Sequence, residues 1–204
     1  MVKKIIVVTL FLTQGLYLFA TAQEPDRIIF KGINYPLIVN PMEPYFEKFP
    51  DKRPRFDMTS LWRGYVATFE IIENELWVTE IKKSNKASII KEVLDGKNKM
   101  KIDWFSGLLV IPQGKIIDYV HMGYSSTYEH YIVLEIRNGN FIKELKMDNR
   151  QFDEFREKQF ELYKKTDKYR KLVEKLKERE GESEEKMEYF LKIFIVDYIE
   201  KIYE

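Results

Sequence analysis

The segment YEHYIVLEIRNGNFIKELK, residues 128–146, decides the predicted fold. Asn138-Gly139 lies between two runs rich in β-branched and aromatic residues, one ending near Ile136 and one beginning near Phe141. An Asn-Gly pair readily adopts a type I′ turn, whose twist matches that of paired antiparallel strands. The segment therefore predicts a β-hairpin and, with it, an antiparallel sheet.

Strand patterns on the N-terminal side of this hairpin predict the rest of the sheet. LWRGYVATFEI and ELWVTEI are separated by the turn signal Glu73-Asn74, which predicts a second hairpin. KIDWFSGLLVI and GKIIDYVHMGY predict two more strands, separated by Pro112-Gln113-Gly114. Short connectors between successive strands favour an antiparallel β-meander sheet of about six or seven strands.

Helical patterns flank and follow these strands. A short helix is predicted near residues 85–95, where an apolar stripe precedes Gly96. From Asp148 onward apolar residues recur at the helical period, and Gly181 divides them into two stretches. We expect residues 148–204 to form a C-terminal helical hairpin packed against the sheet, so the predicted fold class is α+β.

Residues 23–60 differ from the rest of the chain because they contain six of the seven prolines. Proline fixes φ and lacks an N–H donor, so long helices and central strands are disfavoured there. The segment is nevertheless too apolar for a linker. We predict a short strand near residues 28–31 and an ordered wrap along the core, with one helical turn near residues 44–49. Residues 23–204 are then a single domain made of this wrap, the sheet (61–147) and the helical hairpin.

The first residues have the pattern of a secretory signal peptide. Lys3 and Lys4 precede an apolar stretch from Ile5 to Ala20, and small residues at Ala20 and Ala22 fit a cleavage site. We expect cleavage after Ala22 and export to the periplasm or the extracellular space. The alternative is an uncleaved N-terminal membrane anchor. No later segment is apolar enough to predict a membrane span.

Composition excludes several classes of function. The chain has no cysteine, which excludes disulfides, thiolate chemistry and cysteine-ligated zinc. Its formal net charge is +1, and removal of residues 1–22, which hold two lysines and no acid, changes it to −1. Nucleic-acid binding usually requires a basic excess, so we expect no nucleic-acid partner. The sequence contains no motif for a cofactor, and none is expected.

HMGYSSTYEH, residues 121–130, holds both histidines of the chain and is the candidate for catalysis. If the flanking strands pair with a short loop at residues 123–127, His121 lies opposite Glu129, and His130 lies opposite Val120 or His121. Such a cluster suits acid–base catalysis or a minimal metal site. The alternative is a polar hairpin tip, because residues 129 and 130 point to opposite faces of a strand. We predict no metal site.

A second candidate set consists of aromatic residues and an arginine: Trp62, Arg63, Tyr65, Tyr124 and Tyr128. An arginine beside aromatic rings can bind a carboxylate or phosphate, or make cation–π contacts. These five residues are the predicted binding residues. The structural alternative is that Arg63 pairs internally with an acid such as Asp57 or Asp103.

Two blocks of sequence resemble small exported bacterial proteins of a family without known activity. They are KRP…LWRGYVATFEI followed by LW…I, and KIDWFSGLLVIPQGKIIDYVHMGYSSTYEHYIVLEI. The resemblance extends over residues 30–200. It implies a bacterial source and a single folded unit, and it supplies no catalytic residue.

Two functions are consistent with these patterns. The first is a non-enzymatic binding or interaction module of the bacterial cell envelope, since Tyr, Trp and Phe are enriched at recognition surfaces. Its partner would be a protein or a small-molecule ligand. The second is a small hydrolase or metal-dependent enzyme with a site around His121, Glu129 and His130. A deep pocket holding both histidines would favour the second function.

Overall fold

A computed structural model describes residues 22–121, 123–180 and 184–204. The predicted signal peptide, residues 1–22, lies outside the described residues except for Ala22. The strands are β1 (Asp26–Phe30), β2 (Ile33–Leu37), β3 (Val66–Ile72), β4 (Glu75–Lys82), β5 (Met100–Lys101), β6 (Gly107–Asp118), β7 (Thr127–Arg137) and β8 (Asn140–Asp148). The helices are α1 (Glu43–Lys48), α2 (Ile90–Val93), α3 (Asn149–Tyr163), α4 (Asp167–Glu180), α5 (Glu184–Ile193) and α6 (Ile195–Tyr198). The fold is α+β, as predicted.

The strands form one mixed sheet in the order β2-β1-β3-β4-β8-β7-β6, with β5 paired to β4. Most pairs are antiparallel, but β1 and β3 run parallel, with Ile28 opposite Phe69. The predicted antiparallel meander is therefore confirmed only in part, because the sheet is mostly antiparallel but mixed. Sequence proximity favours hairpins, whereas β1 pairs with a strand that lies far along the chain. The side chain of Asp26 helps to hold this pairing, because its Oδ1 accepts a hydrogen bond from the Ala67 amide at 2.8 Å.

Both predicted hairpin turns are present. Asn138 and Gly139 have φ values of 47° and 72°, and Glu73 and Asn74 have φ values of 50° and 64°. Two consecutive positive φ values are the signature of the type I′ turn. Gly139 is also required sterically, because a Cβ at this position would collide with the carbonyl oxygen of Ile102.

Residues 107–118 form a single strand, β6, whereas the sequence suggested two strands separated by Pro112-Gln113-Gly114. Pro112 lies opposite Tyr131, and register shifts follow between Gln113 and Asp118. Proline has no N–H to donate. It is tolerated here because β6 is the last strand in the sheet order, so few backbone acceptors lie beside its outer edge. Gly114 has φ of 76° and lies within the register shift, and the strand continues past it instead of turning.

The two ends of the strand order approach each other. The amide of Ile38, directly after β2, donates to the carbonyl oxygen of Val110 in β6 at 3.1 Å. The sheet is therefore strongly curled. Its concave interior is filled by a first apolar core that includes Ile28, Phe46 and Phe69.

The β6–β7 part of the sheet separates this core from a second one. Leu109 and Ile111 of β6 belong to the first core, whereas Leu108 and Val110 belong to the second. Alternation along a strand places successive side chains on opposite faces, so β6 contributes to both cores. The second core lies against the C-terminal helices and includes Phe152, Met187, Leu191 and Ile195.

The described residues of the C-terminal segment form four helices, so the predicted two-helix hairpin is not confirmed. Asp148 begins α3 with a capping box, in which its side chain and that of Gln151 exchange hydrogen bonds with each other's amides. Helix α3 ends at Tyr163. The Thr166 hydroxyl then accepts a hydrogen bond from the Tyr169 amide and caps the start of α4. Apolar periodicity continues across this break, which is why the sequence pattern alone suggested one helix.

Of two other segments, the proline-rich one is more regular than predicted and the one near residues 85–95 is less regular. The proline-rich segment forms two strands, β1 and β2, rather than one, and the predicted turn near residues 44–49 is α1. The helix predicted near 85–95 is limited to residues 90–93, because Ser88 pairs with Lys82 in an isolated bridge. In the described residues, no helix has the length and apolarity needed to cross a membrane.

Candidate ligand-binding cleft

A cleft of about 480 Å³ lies between the sheet and the C-terminal helices. One wall comes from the segment before β3, from β6 and from the β6–β7 loop; the other comes from α3, α5 and α6. Among the described residues, six aromatic side chains line it: Trp62, Tyr124, Tyr131, Phe152, Tyr189 and Phe194. The charged side chains of the same described lining are Arg63, Arg156 and Asp197. A concave, largely apolar site with a few polar groups is typical of a small-molecule or peptide site.

A buried polar cluster lies at the sheet side of the cleft. Arg63 donates from Nη1 to the Tyr124 hydroxyl and from Nη2 to the carbonyl oxygen of Glu24 at 2.9 Å and to Asp26 Oδ1 at 3.3 Å. Asn40 Nδ2 donates to Asp26 Oδ2 at 2.9 Å and to Tyr124 Oη at 3.2 Å. Arg63 and Asp26 are 1% and 0% exposed. The cluster ties β1, the segment before β3 and the β6–β7 loop together.

Burial dominates the protonation equilibria in this cluster. It raises the pKa of Asp26 to about 6, although the Arg63 charge and hydrogen bonds from Ala67 and Asn40 act in the opposite direction. Burial likewise raises the pKa of Tyr124 to about 12 and that of Tyr65 well above its usual value. Burial alone would lower the pKa of Arg63, but Asp26 and neighbouring groups hold it above its usual value. Arg63 is therefore a permanent cation, and both tyrosines remain neutral.

Local backbone geometry places Arg63 in this position. A 3-10 turn at Thr59–Leu61 ends just before Trp62, and Gly64 has φ of 81°. A Cβ at Gly64 would collide with the backbone carbonyl of Pro54, so the chain can pass this point only with glycine. The turn directs Arg63 inward, while Trp62 remains 58% exposed at the rim of the cleft.

The helical wall contributes a second arginine. Arg156 of α3 donates from Nη1 to the carbonyl oxygen of Ile193 at 3.1 Å and from Nη2 to Asp153. Its guanidinium also lies 5.1 Å from the centre of the Phe152 ring. These contacts connect α3 to the end of α5 and neutralise the arginine locally.

The cleft concentrates polar atoms without partners. In the described part of the chain, six buried side-chain nitrogen or oxygen atoms have no hydrogen-bond partner, and three of them belong to residues that line the cleft: Arg63 Nε, Arg156 Nε and Ser125 Oγ. Leaving such an atom unsatisfied costs about 1–3 kcal/mol. Buried polar groups of this kind are usually satisfied by water or a ligand.

The structure brings together most of the predicted binding residues. Arg63, Tyr65 and Tyr124 meet in the buried cluster, where the Tyr65 carbonyl oxygen accepts from Arg63 Nη2 at 3.4 Å, and Trp62 lies at the rim. Tyr128 does not line the cleft and instead packs edge-on against Tyr131 at 6.2 Å.

The alternative prediction for Arg63, an internal ion pair with an acid, is confirmed, but the predicted partners were wrong. Arg63 pairs with Asp26 instead of Asp57 or Asp103. Asp26 and Asp197 were both missed as site residues. One feature of the sequence indicated that Asp26 is a site residue: it is an isolated acid at the start of an apolar strand.

The predicted pairing of His130 with Val120 or His121 was wrong. His130 lies opposite Gln113 in β6 and opposite Asp148 in β8. Glu129 Oε2 accepts from the Lys115 amide at 2.8 Å, and His121 packs edge-on against Tyr119 at 4.7 Å. The difference arises because β6 contains register shifts and ends at Asp118, so the connection to β7 is longer than residues 123–127. Within the described ranges, no group of three or more His, Cys, Asp or Glu side chains could hold a metal ion.

Comparison of the chain with protein-family models, with curated proteins and with solved structures gave no match. The cleft and the chemistry of the residues around it are therefore the basis for the function proposed below.

Proposed function

We propose that this protein is an exported, non-enzymatic binding module of the bacterial cell envelope and that the cleft holds its ligand. The single observation that carries the proposal is the cleft itself, in which six aromatic rings surround a few polar groups without partners. Aromatic side chains provide large contact area at a low cost in conformational entropy.

The rim of the cleft has the features of a recognition surface. Trp62 and Tyr189 are 58% and 70% exposed and belong to opposite walls. Exposure of large aromatic side chains to water is unfavourable, and it is common where a ligand or partner covers them. A ligand between the two walls would bury both rings at once.

Export is supported by the sequence of residues 1–22 and by the position of the residues that follow. The Gln23 amide donates to the Gly123 carbonyl oxygen at 3.2 Å, and the Gln23 side chain donates to the Thr59 carbonyl oxygen at 2.9 Å. Cleavage after Ala22 would therefore leave a new N-terminus fixed beside the cleft, which Gln23 also lines. A bacterial source rests on the resemblance to small exported bacterial proteins.

The near-neutral charge argues for a small-molecule or protein partner and against nucleic acid. The alternative function, a hydrolase or metal-dependent enzyme, required His121, Glu129 and His130 to converge. It has less support, because His130 pairs with Gln113 and not with Val120 or His121.

The experiment is a fragment-binding assay with a matched pair of variants. Aromatic fragments are titrated into the protein purified from the cell envelope, and binding is followed by tryptophan fluorescence and by protein-observed NMR. Trp62→Ala should weaken binding of the fragments that contact the cleft. Phe56→Ala is the control, because Phe56 is 63% exposed but does not line the cleft. Fragment binding that is insensitive to Trp62→Ala, or that maps to another surface, contradicts the proposal.

A further inference from the structure

We propose that the cleft recognises a cationic amine carried on an apolar group, with the Asp197 carboxylate as its counter-charge. This inference rests on the proposed binding function and specifies its ligand class. It follows from the charges, the ring faces and the hydrogen bonds that surround the cleft.

Asp197 is the acid of the cleft that lacks a partner. It lies in α6 and lines the cleft, and its carboxylate makes no ion pair or hydrogen bond with any described residue. Its side chain faces the open cleft, yet the surrounding protein displaces enough water to raise its pKa to about 7. No neighbouring cation offsets this effect of burial. A cationic ligand would supply the missing charge.

The charges of the two arginines of the cleft are compensated, although each keeps one Nε–H donor without a partner among the described residues, which water can satisfy. Arg63 is paired with Asp26, and Arg156 with Asp153. An anionic ligand would have to compete with these carboxylates, and it would also meet the charge of Asp197. The uncompensated charge of the cleft is therefore negative, which favours a cation.

The aromatic rings of the cleft also favour a cationic ligand. Arg156 already lies over Phe152, and Arg63 lies 5.8 Å from the centre of the Tyr124 ring. Among the described cation–π contacts, none involves Trp62, Tyr189 or Phe194, which also line the cleft. Phe194 packs against the Phe190 ring at 4.7 Å, whereas Trp62 and Tyr189 are exposed. The rings of Trp62 and Tyr189 are therefore accessible to a ligand cation, which the ring quadrupole attracts.

Three probes of one size and shape test this inference: phenethylammonium, the neutral phenethyl alcohol and the anionic phenylacetate. Each is titrated into the full protein by isothermal calorimetry at pH 8, where Asp197 is ionised. We expect phenethylammonium to bind about tenfold more tightly than the alcohol, and phenylacetate to bind most weakly. Asp197→Asn should reduce the affinity for the amine to that for the alcohol and leave the alcohol unchanged. Asp118→Asn, an exposed carboxylate outside the cleft, is the control and should alter neither.

The outcomes separate this inference from the function on which it rests. Equal binding of the three probes, tighter binding of phenylacetate, or an amine preference that survives Asp197→Asn overturns the cationic ligand class. In these cases the cleft still binds a ligand, and the proposed function stands. If none of the probes binds and no aromatic fragment perturbs the cleft, both proposals fail. The comparison among probes uses the wild-type protein and does not depend on the folding of any variant.

Discussion

Arg63 Nη2 lies 3.3 Å from Asp26 Oδ1, and both side chains are excluded from water. The two residues are 37 positions apart in sequence, and their contact connects the turn before β3 to β1. The same arginine donates to Tyr124 in the β6–β7 loop. The wall of the cleft on the sheet side therefore depends on one buried guanidinium.

Replacement of Arg63 by methionine should destabilise the protein by about 3 kcal/mol, because it leaves Asp26 buried without its cation. The loss should grow as the pH rises. In the wild type, burial raises the folded-state pKa of Asp26 to about 6, above its ordinary value of 3.8, so its contribution to stability is full below 3.8 and is lost as pH rises through 6. Without Arg63 that pKa rises further, and the loss continues above pH 6.

Urea unfolding of wild type and Arg63→Met at pH 5 and pH 8 measures both effects. Arg150→Met serves as the control, because Arg150 is 79% exposed in its ion pair with Glu154 and should cost at most about 0.5 kcal/mol. A loss for Arg63→Met that is as small as this, or that is the same at both pH values, would show that the buried pair does not support the fold.

Two glycines with similar backbone angles should respond differently to alanine. Gly32 and Gly139 have φ of 77° and 72°, but a Cβ at Gly32 meets open space, whereas one at Gly139 collides with the Ile102 carbonyl. Gly32→Ala should cost about 1 kcal/mol from backbone strain alone. Gly139→Ala should cost about 3 kcal/mol or more, because the turn must also move away from Ile102. Thermal unfolding of the two variants should rank them in this order, and equal losses would contradict the steric argument.

The parts of the fold that the sequence predicted correctly are those in which the decisive contacts are local. Asn138-Gly139 forms its turn from two adjacent residues, and Asp148 caps α3 through a residue three positions away. The parallel pairing of β1 with β3 depends on Asp26 reaching the Ala67 amide, 41 positions away. No periodicity within either segment encodes that contact, so the sequence pattern favoured a meander.

The same distinction explains what was predicted of the cleft. Trp62, Arg63 and Tyr65 were recognisable because an arginine among aromatic residues is unusual within one short segment. Asp197 lies among apolar helical residues, and only the packing of α6 against the sheet places it in the cleft. The predicted partner of His130 was wrong for a related reason, since it depended on a strand register that the β6 irregularities changed.

Removal of one rim aromatic should reduce ligand affinity without loss of stability. Tyr189→Ala should weaken binding of a cleft ligand about tenfold, because an interfacial aromatic side chain commonly contributes more than 1 kcal/mol. Tyr189 is 70% exposed, so the free energy of unfolding should change little. Phe56→Ala is the control, since Phe56 is 63% exposed and does not line the cleft. Equal affinities of the two variants for phenethyl alcohol would place the ligand elsewhere.

Binding of an amine to the cleft should weaken as the pH falls through 7. Asp197 is exposed to the cleft, but the protein around its carboxylate displaces enough water to raise its pKa to about 7. This carboxylate therefore gains a proton near neutral pH and loses the charge that attracts the ligand. The other charged side chains that line the cleft, among the described residues, are Arg63 and Arg156. Asp26, behind Arg63, titrates near pH 6.

Calorimetric titrations of phenethylammonium between pH 5.5 and pH 8.5 test this dependence, because its amine stays fully protonated over that range. As the pH falls from 8.5 to 5.5, the affinity of the wild type should fall by about tenfold in total and level off near the affinity for the alcohol, because that factor is the expected contribution of the Asp197 charge. Asp197→Asn should abolish this dependence near pH 7 and leave a weaker one near pH 6 if Asp26 contributes through Arg63. An unchanged profile in Asp197→Asn would assign the titrating group to Asp26, because it is the other acid near the cleft whose pKa is raised into this range.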